Sequence, residues 1–293
     1  MDVFITGGTG LIGSAVVAEL QRAGHAVSGL ARSDASAGAL EAVGARAVRG
    51  ALGDTAVLRE AADAADGVVH LAFVNDFAGP EALERAIAEE TAALETMAEA
   101  LVGSDRPLVT VSGTPWIPGR PSTEADPLPT DGPVGGRGRT VNRILGFAER
   151  GVRTSAIRMP RTVHDRGEGG FAGLLTRFAR RTGVSGWVGD GTQRWPAVHA
   201  QDAAVLLRLS LEQAPAGSAW QAVQDEGDTM RDIAEVIGRR LGVPARQVPQ
   251  EDFGVLGEIF ALDQPASSAV TRATLGWEPV HPNLLEDLEL LQP

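Results

Sequence analysis

Three glycines, Gly7, Gly10 and Gly13, recur at three-residue spacing between a short apolar run, Val3–Thr6, and a stretch of helical character from Ser14 to Ala23. In that setting the first glycine permits a tight turn, the second lets a pyrophosphate approach the backbone, and the third lets the helix pack on the strand. The phosphate then meets the free N–H groups and positive end of the helix. Gly7, Gly10, Leu11, Ile12 and Gly13 are therefore expected to bind a dinucleotide. Where the next strand ends, an NAD site of this kind carries Asp or Glu for the ribose hydroxyls. This chain has Ala31, Arg32 and Ser33 there. A carboxylate would repel a 2′-phosphate, whereas a guanidinium and a hydroxyl hold it by charge-assisted hydrogen bonds. NADP(H) is expected in preference to NAD(H).

The residue types that are missing narrow the chemistry further. The chain has no Cys and no Tyr, and all 26 of its basic residues are Arg, so it also has no Lys. That removes thiol nucleophiles, disulfides, phenol acids and Schiff bases, and leaves His, Ser/Thr, carboxylates, Arg and water for proton chemistry. The five His and the carboxylates show no metal-ligand spacing, so no metal is expected. His25 and His281 read as surface turn residues, and His70 and His199 as structural ones. A net charge of −12 argues against nucleic acid or an anionic membrane surface as partner, since both require a basic face. No apolar run approaches membrane-spanning length, and the strand-like start at Val3 is unlike a signal peptide. A cytoplasmic protein acting on a small-molecule substrate is expected.

The elements that must position these residues follow from the hydrophobic pattern. Strands are expected at Val3–Thr6, Ala26–Leu30, Ala45–Arg49, Gly67–Ala72, Pro107–Ser112 and Arg153–Arg158. Helices are expected at Ser14–Ala23, Ala35–Gly44, Thr55–Ala65 (capped by Asp54), Pro80–Val102 and Gly138–Arg150. This alternation predicts an α/β fold, a doubly wound parallel Rossmann sheet with a small C-terminal substrate lobe. Residues 1–165, completed by about 196–225, form the dinucleotide-binding domain; 166–195 and 226–293 form the interleaved lobe. Gly113–Arg137 holds six Pro and five Gly in 25 residues, the composition of a functional lid or a disordered excursion. Ser112 ends the fifth strand, where open α/β sheets place ligands. Trp116, Phe171, Trp187, Phe253 and Phe260 are candidates for an apolar substrate cavity, with core packing as their default role.

These residues resemble the short-chain dehydrogenase/reductases, in the extended and atypical, epimerase-like branch. The resemblance is carried by Thr6–Gly13, by Asp66–Ala72 as fourth strand, and by Leu108–Ser112 as the strand with the catalytic Ser. It continues through Arg158-Met159-Pro160 with Val163-His164, Trp195–His199 with Asp202, and Leu275-Gly276-Trp277-Glu278-Pro279. It implies cofactor contacts from Leu71, Ala72, Pro160 and Val163, and from Leu52 against the adenine, although Ala51 stands where the family has an adenine-contacting Asp. It implies that Ser112 binds or polarises a substrate carbonyl, with Thr114 sharing that role. His164, the side-chain type that titrates near neutrality, would serve as general acid or pack beside the cofactor. It also implies that the Pro80–Val102 and Gly138–Arg150 helices could form a homodimer interface. The family's Tyr-x-x-x-Lys pair, however, falls on Gly136 and Thr140, close to Arg139 and Asn142, so the family's standard mechanism is excluded.

Three readings follow. One is an NADP-dependent oxidoreductase with a non-standard site, reducing a carbonyl or imine with a proton from water, His164 or the substrate. The others are a redox-inert NADP-binding regulator and a non-redox isomerase, cyclase or lyase on the same scaffold. Titration with NADPH and NADH, followed by energy transfer from the five Trp residues, is expected to show micromolar NADPH binding and clear preference over NADH.

Overall fold

The computed structural model describes residues 1–73, 79–132 and 135–292. Its strands are β1 (Asp2–Thr6), β2 (Ala26–Ala31), β3 (Arg46–Arg49), β4 (Gly67–His70), β5 (Pro107–Gly113), β6 (Arg153–Met159), β7 (Thr162–His164), β8 (Ser185–Trp187), β9 (Arg194–His199), β10 (Ser218–Gln221), β11 (Asp225–Thr229) and β12 (Ala245–Gln247). Its helices are α1 (Leu11–Arg22), α2 (Asp34–Ala42), α3 (Thr55–Ala64), α4 (Pro80–Ala100), α5 (Gly135–Leu145), α6 (Gly170–Thr182), α7 (Ala200–Gln213), α8 (Met230–Leu241), α9 (Gly257–Phe260), α10 (Ala269–Leu275) and α11 (Leu284–Leu288). Among the described residues, no helix is long and apolar enough to cross a membrane.

A seven-stranded sheet runs in the order β10-β6-β5-β4-β1-β2-β3. Strand β1 pairs in parallel with both β2 and β4, and the parallel ladders continue to β3 and β5. After β3 the chain returns to the far side of β1, so the strand order reverses between β1 and β4. Sheets of this type take ligands at the carboxyl ends of the strands flanking that reversal. Val3, Phe4, Ile5, Val68 and Val69 are fully buried, the continuous apolar pattern of strands covered on both faces. One core packs Phe4, Val68 and Leu108 against Leu58 of α3 and Leu94 and Met97 of α4.

The chain divides into two compact units. The first holds Met1–Ser112, Leu128–Arg158 and Ala204–Trp220; the second holds Gly113–Pro127, Met159–Ala203 and Gln221–Pro293. In the second, β9 lies between β11 and β7, antiparallel to the first and parallel to the other. That pairing draws Met159–Asp165 into the second unit, against the boundary at 165 expected from the sequence. Its core centres on Trp195, Phe178, Ile233, Ile237, Phe260 and Leu288.

The Pro/Gly-rich segment is stitched down over its first half. The Arg120 guanidinium grips both Asp126 carboxylate oxygens at 2.8 and 2.5 Å, and Trp116 Nε1 donates to the Asp263 carbonyl at 3.0 Å. Ser122 bridges to Ala266. Pro133 and Val134, within the expected lid, lie outside the described residues. Elsewhere Asp54 sits at the start of α3 without capping it, because its carboxylate accepts from the Ala51 N–H at 2.7 Å instead. The helix expected to run to Arg150 tightens into a 3-10 turn at Gly146–Arg150 and stops at Gly151, whose φ of 73° suits glycine.

The glycine turn yields a sharp test. A Cβ on Gly13 would lie 2.0 Å from the Gly7 carbonyl oxygen, whereas one on Gly10 would lie 3.5 Å from the same atom. Gly13→Ala should therefore force a backbone shift costing about 3 kcal/mol. By circular dichroism this should lower the melting temperature by roughly 10 °C, while Gly10→Ala should leave it nearly unchanged.

Candidate active site

In the first unit, the turn after β1 begins at Gly7, whose φ of 75° is left-handed. A Cβ there would meet the Ala72 nitrogen at 2.8 Å, so glycine is required both by conformation and by the approach of the chain leaving β4. Gly10 N–H donates to the Gly7 carbonyl at 3.1 Å, and Ser14 N–H to Gly10 at 2.8 Å, which starts α1 directly behind the turn. Leu11 is exposed, Ile12 half-buried and Gly13 buried. The predicted glycine contacts thus come together as a cradle with no side chain between backbone and ligand, and a dinucleotide pyrophosphate fits it. At the end of β2, Arg32 and Ser33 are both exposed. Ser33 accepts from Ser36 N–H at 3.2 Å as the N-cap of α2, a local role that sequence reasoning did not assign. Leu52 packs against the core of this unit, and Leu71 and Ala72 are half-buried where β4 ends.

A polar row crosses the carboxyl ends of three neighbouring strands. Thr6 pairs with His70, and His70 with Thr110; the two-residue period of β-structure puts Ser112 on the same face as Thr110. Thr6 Oγ1 lies 2.9 Å from His70 Nδ1 and accepts from Ala72 N–H at 3.3 Å. Among the described residues, His70 Nε2, Thr110 Oγ1 and Ser112 Oγ are buried without a hydrogen-bond partner, an expensive condition for polar atoms inside a protein. Burial, reinforced by the nearby Arg137 guanidinium, pushes the His70 imidazole down to about 3. His70 is therefore neutral near pH 7.

Arg137 is the residue that sequence reasoning passed over. Its guanidinium forms a fork with Glu90 of α4, at 2.9 and 2.7 Å, and lies 4.1 Å from the centre of the Phe73 ring. Glu90 is 3% exposed and the Arg137 side chain 23% exposed, so the pair is part-buried, held by bidentate geometry. The clue was two opposite charges on helices that the fold packs together, and spacing along the chain cannot reveal that. The positions of the family's acid pair are otherwise filled. Gly136 has Ile87 at 3.0 Å from where a Cβ would stand, and Thr140 is buried, its hydroxyl 2.6 Å from that of Thr91. Arg139 donates to the Thr130 carbonyl, and Asn142 faces solvent.

In the second unit, Thr114 is buried; its N–H donates to Met159 at 2.9 Å and its carbonyl accepts from Gln264 Nε2 at 2.6 Å. Pro160 is buried, and Val163, 7% exposed, lies beside Val198. Alternation along β7 sends His164 to the opposite face from Val163. His164 is fully buried, with Nδ1 2.9 Å from Asp287 Oδ2. Asp287 also accepts from Arg166 N–H at 3.0 Å and Gly167 N–H at 2.7 Å. Burial pushes this carboxyl up, but the bonds from His164 and Gly167 outweigh it and hold it below its ordinary value. His199 stands edge-on to His164 at 5.4 Å and stacks on His281 at 4.8 Å. Burial, then its two His neighbours, lowers the His199 pKa.

Two expectations change here. His281 is half-buried and bonded to Asp202 at 2.9 Å, because Asp202 also accepts from the N–H groups of Val280 and His281 and so draws that turn inward. His25, expected in a surface turn, has a side chain only 10% exposed and paired with Glu212 at 2.9 Å. The fold also brings ligand atoms of Asp165, His199 and Asp287 within 4.8 Å of one another, which the spacing in sequence did not suggest. Asp287 and His199 Nδ1 are already engaged. His199 Nδ1 accepts from the Gln201 N–H at 3.2 Å, so the proton of the neutral ring sits on Nε2, facing Asp165 at 3.6 Å.

The neutral His70 carries a pH dependence. The unfolded histidine takes up a proton below about 6.5 and the folded one only near 3, so its contribution is complete above 6.5 and is lost as pH falls. His70→Asn should reduce the loss of stability between pH 7 and pH 5 by about 2 kcal/mol, measured by urea denaturation at both pH values.

Comparison with known proteins agrees with this architecture. The chain is 40% identical over 296 residues to the uncharacterized protein C2A9.02 of Schizosaccharomyces pombe, covering 98% of each. It is 24% identical over 259 residues to a 4-hydroxy-2-methyl-3-oxo-4-farnesyl-3,4-dihydroquinoline-1-oxide ketoreductase of Stigmatella aurantiaca, covering 84% of this chain and 75% of that one. A UDP-glucose 4-epimerase structure from Thermotoga maritima superposes with a TM-score of 0.79 at 20% identity, covering 99% and 97% of the two chains. The model of the NAD dependent epimerase/dehydratase family matches residues 3–222, and with its glycine cradle and reversed parallel sheet the chain belongs to that family.

Proposed function

We propose that the protein is an NADP-dependent oxidoreductase that reduces a carbonyl or imine of a small organic substrate without a Tyr/Lys acid. The observation that carries this reading is the Ser112 hydroxyl, buried and unpartnered at the end of β5, on the sheet edge that also bears the glycine cradle. A hydroxyl left unpaired there is poised to donate to a carbonyl oxygen. The ketoreductase relative supports the same reaction class. Gly7, Gly10 and Gly13 would hold the cofactor pyrophosphate, and the exposed Arg32 the 2′-phosphate of NADP. When bound, NADP(H) supplies the two electrons of the reduction.

The chain's own residues then have limited work. Ser112 orients and polarises the carbonyl. Arg137, fixed by Glu90 and Phe73, keeps a positive charge facing His70 and favours negative charge developing on substrate oxygen. His70 is neutral and His164 is enclosed against Asp287, so in this reading the proton comes from solvent or from the substrate. Activated ketones and iminium ions, which need little acid assistance, suit such a site. Ser112→Ala should lower kcat at least ten-fold with NADPH and a panel of activated ketones and imines, followed by nicotinamide absorbance. An unchanged rate would remove Ser112 from the site, and product without absorbance change would identify non-redox chemistry.

A further inference from the structure

Among the described arginines of the second unit, Arg161 is the one whose Nε is buried without a hydrogen-bond partner. Arg120 and Arg194 each close a fork on a carboxylate, Asp126 and Asp263. Arg161 has no carboxylate within ion-pair distance among the described residues, and its Nε is buried without a partner. Among the described residues, the guanidinium's one hydrogen bond runs from an Nη to the Ile259 carbonyl at 2.9 Å. Burial alone, with no charged neighbour contributing, lowers its pKa to about 10. Arg161 is half-buried, and a partly desolvated guanidinium without an anion is costly, so proteins ordinarily pair such groups.

Its surroundings are built. The Arg161 carbonyl accepts from Phe171 N–H at 3.1 Å. Gly170 allows this closeness: a Cβ there would lie 2.5 Å from Thr162 Cα. The guanidinium lies 5.0 Å from the Phe171 ring and 5.9 Å from that of Trp195. Phe171, Trp195 and Phe260 pack mutually at 5.6, 5.3 and 5.0 Å. Trp195 is fully buried, and its Nε1, which can only donate, also has no partner. Two neighbouring side chains thus offer donors, one of them cationic, beside aromatic faces.

We propose that Arg161, with Trp195 beside it, forms an oxyanion subsite that takes a carboxylate or phosphate group attached to an aromatic or other flat apolar moiety. That this ligand is the substrate, an anionic carbonyl compound, rests on the oxidoreductase reading above; the binding itself does not. Arg161 follows Pro160 and precedes Val163, the two residues that the family resemblance implies as cofactor contacts.

Isothermal titration of the full-length protein with benzoylformate, its uncharged methyl ester and phenyl phosphate tests this. The acid should bind at least ten-fold more tightly than the ester, the gain expected of a charge-assisted hydrogen bond, and Arg161→Gln should abolish the difference. Phenyl phosphate binding more tightly than benzoylformate would identify the oxyanion as phosphate, and weaker binding as carboxylate. Equal binding of acid and ester to the unmodified protein, or no binding of either anion, would overturn the proposal whether or not Arg161→Gln folds. Arg161-dependent binding without NADPH oxidation would leave the subsite standing and sink the oxidoreductase reading instead.

Discussion

The architecture of the first unit depends on one close approach, that of Gly13 to the Gly7 carbonyl. No other residue fits there, since a Cβ would sit 2.0 Å from that oxygen. The contact brings α1 hard against the end of β1, and so aims the free N–H groups of the helix at the carboxyl edge of the sheet. The candidate site of this unit is laid out along that edge: the cradle itself, the exposed Arg32, and the Thr6–His70–Thr110–Ser112 row that starts on β1 and crosses β4 to β5.

The second unit is organised by buried carboxylates. Asp287 collects three donors and Asp202 accepts from two backbone N–H groups and His281. Each ties the segment after residue 280 to an earlier strand or helix, and leucines 284, 288 and 291 complete the core from the same segment. Not every acid there is so well served. Burial, with Asp225 and Asp232 nearby, pushes the Asp228 carboxyl up to about 6, and its Oδ2 is unpartnered. The arrangement satisfies the acids that anchor the chain and leaves strain at one that does not.

Much of the first unit was legible because its signals are local. Alternating apolar runs gave β1 through β6 to within a residue or two, and the glycine spacing gave the cradle, since each depends on neighbours a few positions apart. What was not legible depends on partners far along the chain. The Arg137–Glu90 fork spans 47 residues, and the His164–Asp287 contact 123. Nothing near His281 in sequence announces that Asp202 will draw it inward. The distinctive feature of Arg161 is a missing partner, and a sequence cannot display an absence of that kind. The family's vacant Tyr and Lys positions were visible at once, because residue types are counted without knowing the fold.

The second unit is assembled from three separate stretches, and its ties join Thr114 to Gln264 and Trp116 to Asp263, 150 and 147 residues apart. Chain closure over such lengths is slow, because entropy is lost before the contacts that reward it can form. The βαβ repeats at the start of the first unit need no such closure. The glycine cradle rests on short-range pairing, whereas the unit bearing Arg161 requires distant stretches to meet. No single cut in the chain would yield either unit alone, so neither unit can be exchanged as one continuous cassette.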